Sequence, residues 1–266
     1  MDLSIDNNMT LPRIIEDNCA PRYVKRGIYS TQSERASVHL TELQEQLILG
    51  STLGNMSIHH MKKQGVSIND GSSFYDPNVT VSHAVKNRDY VYWKYHILEN
   101  LVKTPPVCKL IQSVNDSFAP STQCSFTTLA YSCLLPLFDT CYSDGGKRKI
   151  TREWLKLLHD PISIATLYMD CGLPHYNVKR ELYEILIRLP RSWPEELDLV
   201  REYLFLDKLD IETGRAVVRE QTFASRSGTV NDIRITKKSE IEKFVDLIAS
   251  DMEEVPSMMR KIEPFL

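Results

Sequence analysis

The chain has 266 residues, 42% hydrophobic and 25% charged, with a formal net charge of −3. These values exclude an intrinsically disordered chain and a strongly basic nucleic-acid-binding domain. No apolar run approaches the roughly 18 residues of a membrane span, so none is expected.

The opening "MDLSIDNNMT" has no apolar core and no basic character, and reads as neither a secretory signal nor a transit peptide. The six cysteines, Cys19, Cys108, Cys124, Cys133, Cys141 and Cys171, form no C-x-x-C pair. A zinc site is therefore not expected, and the plain reading is buried, reduced thiols in an intracellular reducing compartment, cytoplasm or organelle matrix.

Residues 1–39 lack periodicity and read as an irregular extension. "LTELQEQLILGSTLGNMSI" (40–58) then starts a helix, with Thr41 and Gln44 spaced as a capping box. Gly50 and Gly54 clear one stripe of this helix for close approach of another backbone. "VSINDGSSFYDPNVTVSHAV" (66–85) alternates and carries Asp-Gly and Asp-Pro turn signals, predicting strands and a hairpin. "RDYVYWKYHILENLVK" (88–103) predicts a helix with Tyr92, Tyr95, Ile97, Leu98, Leu101 and Val102 as its apolar face, ended by Pro105 and Pro106. Residues 107–114 and 122–129 read as strands, and 131–146 as a short helix and loop.

The pattern then restarts. "TREWLKLLHDPISIATLYMDCG" (151–172) predicts a second apolar helix, 191–209 another helix, 216–224 and 231–236 strands, and 238–252 a final helix. The order suggests two α+β halves related by a weak internal repeat, 40–150 and 151–266.

Charge gives the chain no general affinity for phosphate. Residues 41–150 hold 10 basic and 9 acidic side chains, and residues 151–266 hold 17 and 21. A nucleic-acid face would have to come from local clusters. "HHMKK" (59–63), "KNR" (86–88), "GGKRK" (145–149) and "ITKK" (235–238) are candidates, although each also reads as ordinary solvated charge. The candidate contacts are His59, His60, Lys62, Lys63, His83, Lys86, Arg88, Lys109 and Arg234.

Two segments carry a family resemblance. "LILGSTLGNMSI" (47–58) and "ISIATLYMDCGLP" (162–174) resemble the two signature helices of LAGLIDADG homing endonucleases. "VSHAVKNRDYVYWKYHIL" (81–98), "CSFTTLAYSCLLPLFDTCY" (124–142) and "EIEKFVDLIASDMEEVPSMMRKI" (240–262) resemble segments that follow in that family, in order. The resemblance covers about 40–266 and is weak near 177–230. It implies an α+β fold of two αββαββα halves, a central pair of signature helices and a β-saddle over nucleic acid, within one pseudo-dimeric chain.

The same resemblance implies chemistry. Each signature helix of the family ends in a carboxylate, and the two acids hold divalent metal for phosphodiester cleavage. The matching positions here are Asn55 and Cys171. An amide oxygen carries no charge, and a soft sulfur does not suit Mg²⁺. Asp170, one residue earlier, points about 100° away on the helix. Lys261 matches a lysine near the family's tail and is a candidate assisting residue.

Three functions remain open. The first is a degenerate member that binds DNA or RNA, as in maturase-type splicing, without a metal cofactor. The second is a structural component of a ribonucleoprotein, such as an organelle ribosome, with protein partners. The third is an endonuclease that still cuts with Mg²⁺.

Overall fold

The structure, a computed structural model, describes residues 35, 37–60, 75–111, 121–143, 146–189, 194–214, 219–223, 226–230 and 232–266. The extension expected over 1–39 and the hairpin signals before residue 75 fall mostly outside these residues.

α1 (Glu42–Leu53) begins as expected. Thr41 Oγ1 accepts from Gln44 N at 3.3 Å, and Thr41 N donates to Gln44 Oε1 at 3.1 Å. The helix is buried almost all round, which places it inside the molecule rather than on its surface.

A four-stranded antiparallel sheet follows, ordered β1–β2–β4–β3. It is built from β1 (Ser57–His59), β2 (Asn78–Ala84), β3 (Val107–Ile111) and β4 (Ser121–Thr127). Between β2 and β3 lies α2 (Arg88–Ile97). Its buried residues are Tyr90, Val91, Trp93, Lys94 and Tyr95. Of the face read in the sequence, Tyr95, Leu98, Leu101 and Val102 are buried, whereas Tyr92 is exposed and the fully buried Lys94 was not counted.

α3 (Leu135–Cys141) leads into the short hairpin β5 (Tyr142–Ser143) and β6 (Lys147–Arg148). The long helix expected over 151–172 is two helices, α4 (Arg152–Leu157) and α5 (Pro161–Cys171). Pro161 lacks an N–H and restrains Asp160, so the chain breaks there. Asp160 then caps α5, accepting from Ile162 N at 2.9 Å.

After α5 come β7 (Gly172–Asn177) and β8 (Leu182–Ile187), two strands the sequence reading missed. α6 (Pro194–Leu199) runs on into wider π-type turns over Val200–Lys208. The hairpin β9 (Arg219–Phe223) and β10 (Arg226–Val230) is followed by β11 (Ile233–Ile235), which completes a β11–β8–β7 sheet. α7 (Lys238–Glu253) and the short α8 (Pro256–Met259) close the chain.

α1 and α5 cross at the centre, and the crossing is close. A methyl group on Gly50 would stand 2.1 Å from the Ser163 carbonyl oxygen, and one on Gly54 would stand 2.4 Å from Asp170 Cβ. Buried glutamines tie the far ends of the pair. Gln44 Nε2 donates to the Ile97 carbonyl at 2.8 Å, and Gln46 Nε2 to the Leu157 carbonyl at 2.8 Å.

One expectation from the sequence does not hold. Cys108 and Cys124, read as free thiols, are register partners on β3 and β4 with Cα atoms 3.9 Å apart, and are joined as a disulfide. Only strand pairing brings them together, so spacing along the chain gave no sign of it. Cys133, Cys141 and Cys171 are free. No helix among the described residues is long and apolar enough to cross a membrane.

Candidate helix-end site and nucleic-acid interface

Sheet alternation assigns the faces. Val79, Val81 and His83 of β2 share a side with Cys124 and Phe126 of β4, and the valines, Cys124 and Phe126 are buried. The opposite side carries Ser57, His59, Asn78, Thr80, Ser82, Gln123, Ser125, Thr127 and Lys109. Thr80 Oγ1 and Thr127 Oγ1 are 3.2 Å apart, and Ser82 Oγ donates to Gln123 Oε1 at 3.0 Å. This face is mostly hydroxyl and amide in character, with His59 and Lys109 at opposite edges and the exposed Val107 and Ile111 beside Lys109 on β3. Such groups suit hydrogen bonding to base edges more than neutralisation of phosphate.

In the second sheet, Ile185 and Ile187 of β8 and Ile233 and Ile235 of β11 are buried on the core side. Leu173, His175 and Asn177 of β7, Glu184 and Leu186 of β8 and Arg234 of β11 share the opposite side.

The candidate contacts separate accordingly. His59 and Lys109 lie on the open face of the first sheet. Lys86 is exposed between β2 and α2, and Arg88 is exposed at the first position of α2. His60 packs edge-on against Phe138, with ring centroids 4.9 Å apart. Lys62 and Lys63 lie outside the described residues.

The structure places two candidates against acids. His83 is turned to the helix side, with Nε2 3.4 Å from Asp170 Oδ1, and burial lowers its pKa to about 4, so it is neutral. Arg234 faces an acid of its own sheet, its Nη1 3.8 Å from Glu184 Oε2. Glu184 also accepts from Asn177 Nδ2 at 2.7 Å and lies 3.6 Å from Arg180 Nη1.

The helix ends hold the densest group of charges. α1 stops at Leu53, and Gly54, the exposed Asn55 and Met56 lead straight into β1. α5 stops at Cys171, which leads straight into β7. The two sheets thus spring from the two positions where the resemblance expects acids.

Asp170 points across the crossing into the first half. Its carboxylate is fully buried, and Lys94 Nζ lies 3.1 and 3.2 Å from its two oxygens. Lys94 also sits 4.2 Å from the Tyr90 ring centroid. Burial lowers the pKa of Lys94, and the adjacent Asp170 opposes that shift. Asn55 joins the same group, its backbone N–H donating to Asp170 Oδ2 at 3.3 Å and its Nδ2 to the Asp170 carbonyl at 3.1 Å. The helical offset from Cys171 to Asp170 accounts for this orientation.

A matched pair of cations holds the helix ends. Lys261 Nζ donates to the carbonyls of Met169 and Tyr168 at 2.6 and 3.4 Å. Arg148 Nη1 donates to the carbonyls of Thr52, Leu53 and Gly54, each at 3.0 Å. Both satisfy last-turn carbonyls that the helix itself leaves open. Burial lowers Lys261 to a pKa of about 8. Burial raises the Cys171 thiol to about 12, with Asp170 adding to the shift, so it is inert as a nucleophile near neutral pH.

Sequence reading picked out Lys261 but missed Lys94 and Arg148. Lys94 had a signal, since it falls four residues after Tyr90 and beside Val91 and Tyr95, on a buried stripe. Arg148 had none beyond membership of "GGKRK".

Comparisons with known proteins bear on the family and the fold. The sequence model of the LAGLIDADG DNA endonuclease family matches residues 45–219. The solved structure of the homing endonuclease I-WcaI bound to its DNA recognition sequence superposes with a TM-score of 0.63 at 16% identity, covering 86% of this chain and 88% of that one. Two curated relatives are the RecA proteins of Mycolicibacterium flavescens and Mycolicibacterium chitae, 33% and 29% identical over 135 residues. Those alignments take in 50% of this chain and 26% of each relative, so the chain spans about a quarter of their length. The family match covers most of the chain and takes in α5 and most of α1: the chain belongs to the LAGLIDADG DNA endonuclease family.

Proposed function

We propose that this chain binds nucleic acid on its open sheet faces and no longer cuts it. One observation carries the reading. Where metal-dependent cleavage requires two carboxylates, the helix ends present the Asn55 amide and the Cys171 thiol. The nearby acid, Asp170, has both oxygens against Lys94.

These residues do not fit Mg²⁺. A hard divalent cation needs several oxygen ligands, and Asp170 would have to expel a buried ammonium to offer its own. Among the described residues, no group of three or more His, Cys, Asp or Glu is placed to hold a metal ion.

DNA is the favoured ligand, because I-WcaI is solved on DNA with this fold. The second reading is a scaffold within a ribonucleoprotein. The near-neutral open face of the first sheet favours it, since that face builds no phosphate-binding surface. A splicing role on RNA would be a further form of the binding reading.

The test is incubation of the purified chain with pools of duplex DNA and structured RNA, in Mg²⁺, Mn²⁺ or chelator. Retention of DNA without strand breaks is expected. Metal-dependent double-strand breaks would overturn the proposal. Retention of RNA alone would shift the reading to splicing, and retention of neither would leave the scaffold.

A further inference from the structure

We propose that Arg180, at the tip of the β7–β8 hairpin, reads a guanine in the major groove of a DNA duplex, with Glu184 and Asn177 as its positioning residues. This rests on the binding function proposed above and names a residue that sets its sequence preference.

Arg180 is exposed, held at its backbone and drawn toward an acid at its tip. Its side chain is 61% accessible, a level at which an arginine is ordinarily mobile. At the backbone end, Arg180 N bonds to the Asn177 carbonyl at 3.1 Å and to Asn177 Oδ1 at 3.3 Å. Asn177 Oδ1 also accepts from Lys179 N at 3.2 Å, so the asparagine side chain shapes the whole turn. Glu181 completes the turn in the left-handed region, with φ of 52°. At the guanidinium end, Nη1 stands 3.6 Å from Glu184 Oε1, the oxygen that accepts from Asn177 Nδ2 at 2.7 Å. One asparagine thus ties the backbone of the arginine to the acid that steers its tip.

The acid is set for steering rather than capture. Glu184 is almost fully buried on the open side of the sheet, and its Oε2 accepts no hydrogen bond among the described residues. Arg234 balances it electrostatically, with Nη1 at 3.8 Å from that oxygen. Both arginines lie beyond the 2.7–2.9 Å of a committed guanidinium–carboxylate pair. The cluster therefore holds one buried acid and two guanidiniums, of which Arg180 is the exposed one and Arg234 is largely covered. Along the same face, Arg188 and Asp232 answer each other at 2.8 Å and add no net charge.

A guanidinium steered in this way matches the O6 and N7 acceptors of guanine, which it can meet with two parallel N–H groups. Holding the side chain beforehand reduces the ordering cost of that contact. The open face of the first sheet has no such cluster among the described residues: it carries hydroxyls and amides, the exposed Val107 and Ile111 of β3, and His59 and Lys109 at its edges. The two halves are therefore built to read different sequences, with the guanine beneath the second.

The test is selection of the full chain on a random duplex pool in EDTA, followed by fluorescence anisotropy on the enriched duplex. The wild type should enrich a site with one G·C pair toward an outer end, and replacing that pair by A·T should cost about tenfold in affinity. Arg180→Lys keeps the charge and loses the fork, and should accept either pair there while keeping the rest of the site. Glu184→Gln should relax the same position, which a purely structural role for the acid would not predict. An unchanged preference in folded Arg180→Lys overturns the proposal and leaves the wider binding function standing. So does Arg180→Gln that flattens the salt slope by about 0.9 with the same preference, the mark of a phosphate contact. Retention of duplex without enrichment overturns the proposal alone, and no retention of any duplex by the wild type overturns it together with the DNA reading on which it rests.

Discussion

Lys94 of α2 and Asp170 of α5 form a buried ion pair across the crossing, 76 residues apart in sequence and 3.1 Å apart in space. Neither side chain is exposed. Removing one partner strands the other without water, which typically costs about 3–5 kcal/mol. Lys94→Met and Asp170→Leu should each destabilise the chain by that order. The double variant Lys94→Met/Asp170→Leu should recover much of the loss, because neither charge is left buried alone and only the contacts of Asn55 N–H and His83 with Asp170 are given up. Urea unfolding of the four proteins checks this. Additive losses in the double variant would show that the two groups are not coupled.

Gly50 meets the partner helix at backbone, not at a movable side chain. Its nearest neighbours are the Ser163 carbonyl oxygen and Cα, so Gly50→Ala must push the helices apart. Overpacking of this kind costs about 1–3 kcal/mol. In a chain of this size, each kcal/mol lowers Tm by about 2–4 °C. Thermal melts of Gly50→Ala should show at least such a drop, and an unchanged melt would contradict the closeness of the crossing.

Restoring the acids should restore metal binding. Asn55→Asp combined with Cys171→Asp places two carboxylates at the helix ends beside Arg148 and Lys261. The double variant should bind Mn²⁺ by calorimetry and gain Tm in its presence, whereas the wild-type chain should do neither. Mn²⁺ binding by the wild type with equal strength would mean that its present ligands suffice.

Asp251 gives a pH signature away from the site. Burial and the neighbouring Glu254 and Asp160 raise its pKa to about 7. The folded chain keeps a proton there that the unfolded chain releases near pH 4. Stability from this group is therefore full below about pH 4 and is lost as pH rises to 7. Discounted for partial contact with solvent, the effect is ~1 kcal/mol. Asp251→Asn should raise Tm at pH 7.5 by about 2–4 °C and should do little at pH 4. A gain of equal size at both values would point to a cause other than titration.

Much of the frame was legible in the sequence. The Thr41–Gln44 box, the glycine stripe of α1 and the apolar run of α5 depend on local pattern, and each stands as read. β7 and β8 were lost because Pro174 interrupts the first and because the sheet pairs them only after folding. The site was legible in part. Asn55, Cys171 and Lys261 could be found by resemblance, and the turn angle from Cys171 set Asp170 apart. Lys94, Arg148 and the Cys108–Cys124 pair could not be found that way. Their roles come from contacts made between distant segments, and the buried stripe that Lys94 shares with Tyr90 and Val91 names no partner for it.

The close seat of Gly54 against Asp170 bears on how this chain could have arisen and how it can change. The two residues hold equivalent places, one before Asn55 and one before Cys171, yet one has no side chain and the other fills the space so left. Two copies of the second half would set aspartate against aspartate with no Lys94 between them. Two copies of the first would set glycine against glycine over an empty gap. Neither half is a ready self-partner. At this contact the two segments complement each other, and neither could be replaced by a copy of the other without a change at Gly54 or Asp170.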